Sequence, residues 1–347
     1  MQACEDQFMK KRIGFFIDRG FEYQISDVVK ILFLDKNINV EIIHRDKWQE
    51  FNFKNCAIAV TTDSIGSEIA LAMQRAKDAG VPSLTIQDGI IEYEHCWKKR
   101  SERYRPLLTD LIAVFGNFTK QILISWGVSE NKIHIVGCPR FDLYSSLRQI
   151  GPSKPRILLT CANTPYVDDD TKEQFRESFI EVAKELEASG MSFFVRLNKR
   201  KTLDLFTKES IIINRLRPNQ HAMAKFIGSA SSAALASIMK RLRPNLFTVA
   251  QDIIRASAVI TQISTVALEA MAMGRPVALL NYSGETVYHR TPWEICSQQH
   301  IKTVIQELLN PPPPKMLFQE QLFSEYVYCD GFASKRIADM IKHMVEK

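Results

Sequence analysis

Short apolar runs alternate with amphipathic stretches along the N-terminal half of the chain. The runs are nearly continuous, which is typical of strands buried on both faces of a parallel sheet. The stretches between them have the helical periodicity that β-α-β units require. The predicted strands are Arg12–Asp18, Asn39–His44, Cys56–Thr61, Val81–Gln87, Asp110–Phe115 and Lys132–Val136, and the predicted helices are Glu22–Asp35, Ser67–Gly80 and Thr119–Trp126.

The same pattern restarts after Gln149–Pro155, a segment rich in turn residues. Four consecutive prolines, Pro311–Pro314, predict a stiff polyproline II spacer before a last helix at Ala333–Glu346. Between these points the predicted strands are Arg156–Thr160, Met191–Leu197, Ile211–Leu216, Asn245–Val249, Ala258–Gln262 and Pro276–Asn281, and the predicted helices are Lys172–Gly190, Asp252–Ala256 and Thr265–Gly274.

Two successive β-α-β arrays predict an α/β chain with two doubly wound, Rossmann-like parallel-sheet domains that face a central cleft. We place the first domain at residues 1–150 and the second at residues 151–315. Residues 316–347 are expected to form a helical tail that packs back on the first domain. Ligands of such sheets bind beyond the carboxyl ends of the strands.

The composition excludes several classes of protein. A chain of 347 residues with 46% hydrophobic and 24% charged residues is neither disordered nor collagen-like, and its length favours two domains. The net charge of +6 is too small to argue for nucleic-acid binding. No run of about 18 apolar residues, signal-peptide pattern or C-x-x-C pair is present. We therefore expect a soluble cytoplasmic protein without a bound metal.

The stretch Asp252–Asn281 contains the most informative candidate site. A predicted strand ends at Thr261, a short turn carries Ser264 and Thr265, and the helix that follows contains Glu269. Hydroxyl and N–H groups at a helix N-terminus can hold a phosphate, and a carboxylate one turn further can accept hydrogen bonds from a ribose. The alternative is that Ser264 only caps the helix and Glu269 lies on its solvated face.

This order of residues resembles the donor site of GT-B glycosyltransferases, with Thr-x-x-Ser-Thr, a helix with Glu-Ala, and Met-Gly-x-Pro-Val. It is especially similar to the branch that holds CDP-glycerol glycerophosphotransferases, UDP-GlcNAc 2-epimerases and capsule-polysaccharide transferases. Three further segments match this branch in the same order along the chain: Val81–Gly89 (VPSLTIQDG), Ile135–Asp142 (IVGCPRFD) and Asp330–Ile341 (DGFASKRIADMI).

The resemblance implies that a nucleotide-sugar donor binds the second domain. Its diphosphate would rest on Ser264 and Thr265, and Glu269 would hold the ribose. UDP, CDP and CMP are not distinguished, and no separate cofactor is implied. The other donor-side candidates are polar residues near the ends of predicted strands: Thr160, Asn163, Thr164, Arg196, Asn198, Lys199 and Gln262.

The resemblance also implies that a glycan or a lipid-linked acceptor enters from the first domain. Relatives with Gln-His-Gly have a catalytic histidine candidate after the fourth strand, and this chain has Asp88 at that position. An aspartate can act as a general base near pH 7 where desolvation raises its pKa. Asp18, in the first β-α loop, is the other base candidate. Gln87, Gly89 and Glu92 are the acceptor-side candidates.

Two departures from the family pattern weaken the case for glycerophosphate transfer. This chain has Thr261–Thr265 (TQIST) where relatives have Thr-Asp-Tyr-Ser-Ser, and Leu197–Lys199 (LNK) where they have Leu-His-Pro. With glycerophosphate transfer weakened, the resemblance implies a metal-independent, inverting GT-B glycosyltransferase of surface-polysaccharide assembly. A nucleotide-sugar 2-epimerase, a polyol-phosphate transferase and a non-catalytic binding subunit are the alternatives.

Two basic segments have no assigned role. Trp97–Arg105 (WKKRSERYR) is predicted to be either a solvated surface or a contact with anionic lipid or a polyanionic glycan. The first option gives a cytoplasmic protein, and the second adds a peripheral contact with the inner face of the membrane. The Ala/Ser-rich residues 219–240, between two copies of RLRPN, are predicted to be either a surface helix or a mobile basic element that contacts a phosphate or an anionic membrane.

Overall fold

The chain forms two compact units. In this computed structural model the described residues are 10–18, 22–62, 67–90, 107–148, 151, 154–161, 169–197, 244–282, 284 and 287–346. The first unit consists of Met1–Asp88, Arg100–Asp142 and Tyr326–Lys347. The second unit consists of Gly89–Lys99 and Leu143–Glu325. The chain therefore returns to its first unit near the C-terminus.

Parallel strands and helices alternate in both units, as predicted. The strands are β1 (Lys11–Phe16), β2 (Ile38–Ile43), β3 (Cys56–Thr61), β4 (Ser83–Ile86), β5 (Leu111–Val114), β6 (Ile133–Ile135), β7 (Ile157–Cys161), β8 (Phe193–Leu197), β9 (Ala258–Thr261), β10 (Val277–Leu280) and β11 (Trp293–Ile295). The helices are α1 (Ser26–Phe33), α2 (Ser67–Asp78), α3 (Asn117–Ser125), α4 (Asp142–Leu147), α5 (Asp169–Ala188), α6 (Pro244–Ile254), α7 (Thr265–Ala272), α8 (Gln298–Leu309), α9 (Pro313–Tyr326) and α10 (Ala333–Glu346).

The first sheet has the strand order β2-β1-β3-β4-β5-β6 within the described residues, and every neighbouring pair is parallel. Both of its faces are covered by helices or loops, which explains the continuous apolar runs. One face packs on α1 and α10, where Ile337 and Ile341 are fully buried. On the other face, Phe16 of β1 packs with Trp48, Phe51 and residues of α2. Full burial of such side chains contributes about 1.5–3 kcal/mol each.

The second sheet has the order β11-β10-β9-β7-β8 in the described part of the chain, again all parallel. Its core combines the strands with α5 and α8, through residues such as Phe179, Leu186 and Ile305. The sheets confirm the predicted fold class of two Rossmann-like arrays. The predicted strand Ile211–Leu216 lies outside the described residues.

Two predicted elements of the second unit are wrong. The predicted strand Asn245–Val249 belongs to α6, which runs from Pro244 to Ile254. The predicted polyproline spacer does not extend through Pro314, because α9 begins at Pro313. Proline is tolerated in the first turn of a helix, because the N–H groups there have no intrahelical hydrogen-bond acceptor and the missing N–H of proline costs nothing.

The two resemblance segments Ile135–Asp142 and Asp330–Ile341 form one joint in the first unit. The carboxylate of Asp142 accepts hydrogen bonds from the backbone N–H groups of Ala333 and Ser334, both at 2.8 Å. This pairs a negative charge with the positive end of α10. The guanidinium of Arg336 makes two bonds to Asp330, of 2.7 and 2.8 Å, and a third of 2.8 Å to the carbonyl of Val136.

The glycine of the first segment is needed for this joint. Gly137 has φ +85°, and a Cβ atom added there would lie 2.2 Å from the carbonyl oxygen of Tyr328. A side chain would therefore meet both an unfavourable backbone conformation and a backbone clash. The joint therefore brings together two segments that are far apart in the sequence.

We expect Gly137→Ala to destabilise the protein far more than Gly80→Ala. Both glycines have positive φ, but nothing lies within 4 Å of a Cβ added at Gly80. Gly80→Ala should therefore lower the free energy of unfolding by about 1 kcal/mol through backbone strain alone. Gly137→Ala should lower it by about 2 kcal/mol more, because the clash is added to the strain. Urea unfolding of both variants measures the difference, and equal losses would contradict the clash.

Acid should weaken the joint through Asp330. The two bonds from Arg336 lower the Asp330 pKa from 3.8 to about 2. Because the folded pKa is lower than the unfolded one, the stabilisation is present above about pH 4 and is lost as the pH falls towards 2.

The urea midpoint of Asp330→Asn should therefore lie below that of the wild type at pH 7, and the two should converge near pH 2. Asp339→Asn is the control, because Asp339 pairs with Lys335 in an exposed i,i+4 pair and such pairs contribute little. If the difference in urea midpoint between Asp330→Asn and the wild type stays constant across this pH range, the ionised Asp330 carboxylate does not stabilise the joint.

Candidate functional site

The strand order of the second sheet reverses between β7 and β9. From β7 the chain goes outward to β8, then returns to the other side of β7 to form β9, β10 and β11. At such a reversal the connections leave in opposite directions and open a crevice at the carboxyl ends of the two strands, where α/β sheets bind ligands. The described residues at these two strand ends are therefore the candidate site.

A row of polar residues crosses the sheet at this edge. Thr160 of β7 is paired in register with Arg196 of β8 on one side and with Thr261 of β9 on the other. Residues in register on parallel strands extend from the same face, and their strands are about 4.8 Å apart. Thr160 and Thr261 are buried, and the Arg196 side chain is 16% exposed. The sheet thus places two hydroxyls and one cation side by side.

The turn from β9 to α7 is fixed by its own side chains. Ser264 is the N-cap of α7, with φ −161° and ψ 163°, and its Oγ accepts a 3.2 Å hydrogen bond from the N–H of Val266. Thr261 Oγ1 donates to the carbonyl of Gln262 at 2.8 Å and lies 3.4 Å from Ser264 Oγ. These bonds hold the hydroxyls at the positive end of the helix, where an anion is stabilised.

Two polar side chains lie inside the unit behind this turn. Glu269 is 3% exposed and Gln262 is 1% exposed. The alternative that places Glu269 on the solvated face of its helix is therefore wrong. A buried carboxylate is costly to keep ionised without polar contacts, so it indicates a specific role in this part of the unit.

The cation of the row has a buried partner that sequence reasoning missed. Arg196 Nη1 donates a 2.8 Å hydrogen bond to Oδ2 of Asp252 in α6, and the Asp252 side chain is 1% exposed. The sequence signal was an acidic residue in the apolar stretch before β9. The sequence alone could not pair Asp252 with Arg196, because the two residues are 56 positions apart.

The first sheet has its own reversal, between β1 and β3. Asp18, one of the two base candidates, follows β1 and therefore lies at this edge. Its Oδ1 forms a 3.0 Å ion pair with Nε of Arg45, whose guanidinium also lies 5.5 Å from the ring of Trp48. These two contacts hold the Asp18 carboxylate at the reversal.

Gln87 fixes the loop that carries the other base candidate. Its Oε1 accepts a 2.8 Å bond from the N–H of Phe115, and its Nε2 donates to Thr119 Oγ1 at 3.3 Å. Gln87 is buried where it makes these two bonds. The side chain of Asp88 is exposed, and Gly89 is half-buried. The structure therefore presents Asp88 to solvent on an anchored loop, without the burial that a strong base near pH 7 requires.

The remaining predicted site residues cannot be placed. Glu92, Asn163, Thr164, Asn198 and Lys199 lie outside the described residues, as do Trp97–Arg105 and residues 219–240. In the part of the chain that the structure describes, no group of three or more His, Cys, Asp or Glu side chains could hold a metal ion. Nor does any helix in the same part have both the length and the apolar character needed to cross a membrane.

Two Rossmann-like parallel sheets, with a polar edge at a strand reversal, define a class of nucleotide-binding α/β folds. Comparison with solved structures identifies the type within this class. S. aureus MnaA, in a co-structure with UDP, is similar over 97% of both chains at 15% identity and a TM-score of 0.62. The wall teichoic acid polymerase TagF is 13% identical over 97% of this chain and 89% of its own, with a TM-score of 0.61.

UDP-GlcNAc 2-epimerases are similar to the same extent. The Neisseria meningitidis enzyme bound to UDP-GlcNAc is 14% identical over 96% of this chain and 99% of its own, with a TM-score of 0.61. No protein-family model and no curated protein matches the sequence. These neighbours are GT-B enzymes, so the likeness shows that the chain has a GT-B fold, as the sequence resemblance implied.

Proposed function

We propose that the protein is a GT-B glycosyltransferase. It binds a nucleotide-activated sugar at the β7–β9 edge and transfers the sugar to a glycan or lipid-linked acceptor in surface-polysaccharide assembly. The observation that carries the proposal is the N-terminus of α7, capped by Ser264 and located at the strand reversal beside Thr160 and Thr261. The presence of UDP or UDP-GlcNAc in similar structures supports a nucleotide ligand.

In the proposed reaction the hydroxyl of the acceptor attacks the anomeric carbon, and the nucleoside diphosphate leaves with the bonding electrons. Negative charge then develops on the diphosphate. The N-terminus of α7, the hydroxyls of Ser264 and Thr265, and the guanidinium of Arg196 would stabilise this charge, since they are positioned before the reaction begins.

A general base removes the proton of the acceptor hydroxyl, and we assign this role to Asp88. Its loop is anchored by the two hydrogen bonds of Gln87, and its carboxylate is exposed to an incoming acceptor. Because the Asp88 side chain is exposed, the bound acceptor would have to displace water from this carboxylate before it acts as a base near pH 7. Asp18 is the alternative, since it lies at the strand reversal of the first sheet. Its ion pair with Arg45 makes a positioning role the better explanation for that carboxylate.

A nucleotide-sugar 2-epimerase is the second candidate, because two of the similar structures are epimerases with UDP-GlcNAc bound. It would use the same donor residues but no acceptor. Incubation with the donor alone separates the two functions, since an epimerase releases the free epimer and a transferase requires an added acceptor.

Ser264→Ala should weaken the binding of a nucleoside diphosphate by about 10- to 100-fold. The variant removes one hydroxyl beside the phosphate and loosens the turn that orients the helix N-terminus. The affinity is measured by calorimetry with UDP, CDP, CMP and UDP-linked sugars.

Ser297→Ala is the control for this variant. Ser297 is at the N-cap position of α8 in the same unit, with nearly the same backbone angles, φ −160° and ψ 164°, but its side chain makes no capping hydrogen bond. It should leave the affinity unchanged. If Ser264→Ala and Ser297→Ala bind the nucleotide equally well, the assignment of the phosphate site to the start of α7 is wrong. If the wild type binds no nucleotide, the proposal of a nucleotide-dependent GT-B enzyme is wrong.

Asp88→Asn should lower kcat by about 100- to 10,000-fold and leave the nucleotide affinity unchanged, because a positioned base contributes that much to rate. Asp18→Asn, measured in parallel, should lower kcat less. Asp35→Asn is the control, since Asp35 precedes β2 at the amino-terminal edge of the sheet. Full activity of Asp88→Asn would remove it as the base, and a larger loss in Asp18→Asn would transfer the role there.

A further inference from the structure

We propose that Asp252 is a positioning residue for the substrate diphosphate. In this inference, which rests on the proposed function, the buried carboxylate of Asp252 orients the guanidinium of Arg196, and Arg196 contacts the diphosphate of a nucleoside-diphosphate sugar.

The sheet register places Arg196 beside the candidate site. Arg196 is in register with Thr160, and Thr160 is in register with Thr261, so one strand separates the arginine from the β9–α7 turn. Neighbouring strands are about 4.8 Å apart. An extended arginine side chain can span the resulting distance of about 10 Å or less to a diphosphate at the turn. Since 16% of the side chain is exposed, solvent reaches part of it.

Burial makes the position of Asp252 costly. Its side chain is 1% exposed, and its neighbour Ile253 is fully buried in the same helix. A buried ion pair contributes little net stability, because removing both charges from water offsets their attraction, and apolar side chains of similar volume often stabilise as well. The pair is therefore better explained by what it does to Arg196 than by its contribution to folding.

The chemistry of a guanidinium supports this explanation. It is a rigid plane with N–H donors in a fixed fork, a geometry that matches a phosphate group. The 2.8 Å bond from Nη1 to Asp252 therefore sets the orientation of the whole plane. A lysine would keep the charge at this position but could not be oriented in the same way. Arg196, a donor-side candidate from the sequence, thus has a partner that holds it in place.

The experiment measures the affinities for UDP and UMP, or CDP and CMP if the wild type prefers them. The variants are Asp252→Asn, Arg196→Lys and the double variant. We expect each single variant to bind the diphosphate about 10- to 100-fold more weakly, with a smaller effect on the monophosphate. The double variant should bind the diphosphate as tightly as the single variant with the lower affinity, because both substitutions disable the same contact.

Asp330→Asn is the matched control, since it breaks an Asp–Arg pair in the first unit and should leave both affinities unchanged. If Asp252→Asn binds the diphosphate within twofold of the wild type, the inference is overturned. The ion pair is then only a structural contact between α6 and β8. Additive losses in the double variant would overturn the inference as well.

The outcomes also separate this inference from the proposed function. A wild type that binds no nucleotide contradicts the proposed function, whereas a binding wild type with unaffected variants contradicts only the role of Asp252. If Asp252→Asn fails to fold, Arg196→Lys alone decides, since an unchanged ratio of diphosphate to monophosphate affinity would show that Arg196 does not contact the diphosphate.

Discussion

The reversal of strand order between β7 and β9 is the constraint on which the candidate site depends. A parallel sheet brings the carboxyl ends of its strands to one edge, and the reversal opens that edge between two particular strands. The register then places Thr160 between Arg196 and Thr261, although the three residues are far apart in the sequence. The capped N-terminus of α7 adds a positive end at the same edge. Each residue is ordinary alone, and the topology brings them together as a candidate site.

Several residues of the segments that resemble GT-B enzymes have structural roles here. Gly137 and Asp142 join the C-terminal helix to the first unit. In the second unit, Gly274 turns the chain with φ +68°, and the Gln319 side chain bonds the backbone on both sides of Pro276. Such joints are required by the fold whatever the substrate, which is why the resemblance predicts the fold better than the chemistry.

Much of the fold could be predicted from the sequence, because strands buried on both faces leave long apolar runs such as RIGFF and AVIT. The end of α6 was predicted as the short helix Asp252–Ala256, but its first part was predicted as a strand because NLFTV has strand-forming residues. The Ser264–Thr265 turn was found because its residues are contiguous. Asp252 was not assigned a partner, because the strand order selects that partner and no local pattern encodes it.

Hydrogen exchange with and without saturating nucleotide tests the central claim most directly. The account predicts that UDP or CDP slows the exchange of backbone amides at residues 262–268, where the β9–α7 turn meets the phosphates. The amides at the start of α8, where Ser297 has nearly the same backbone angles as Ser264, should not change. Protection that is absent from residues 262–268 but present elsewhere would show that the nucleotide binds at another place, and would contradict the assignment of the site to the β7–β9 reversal.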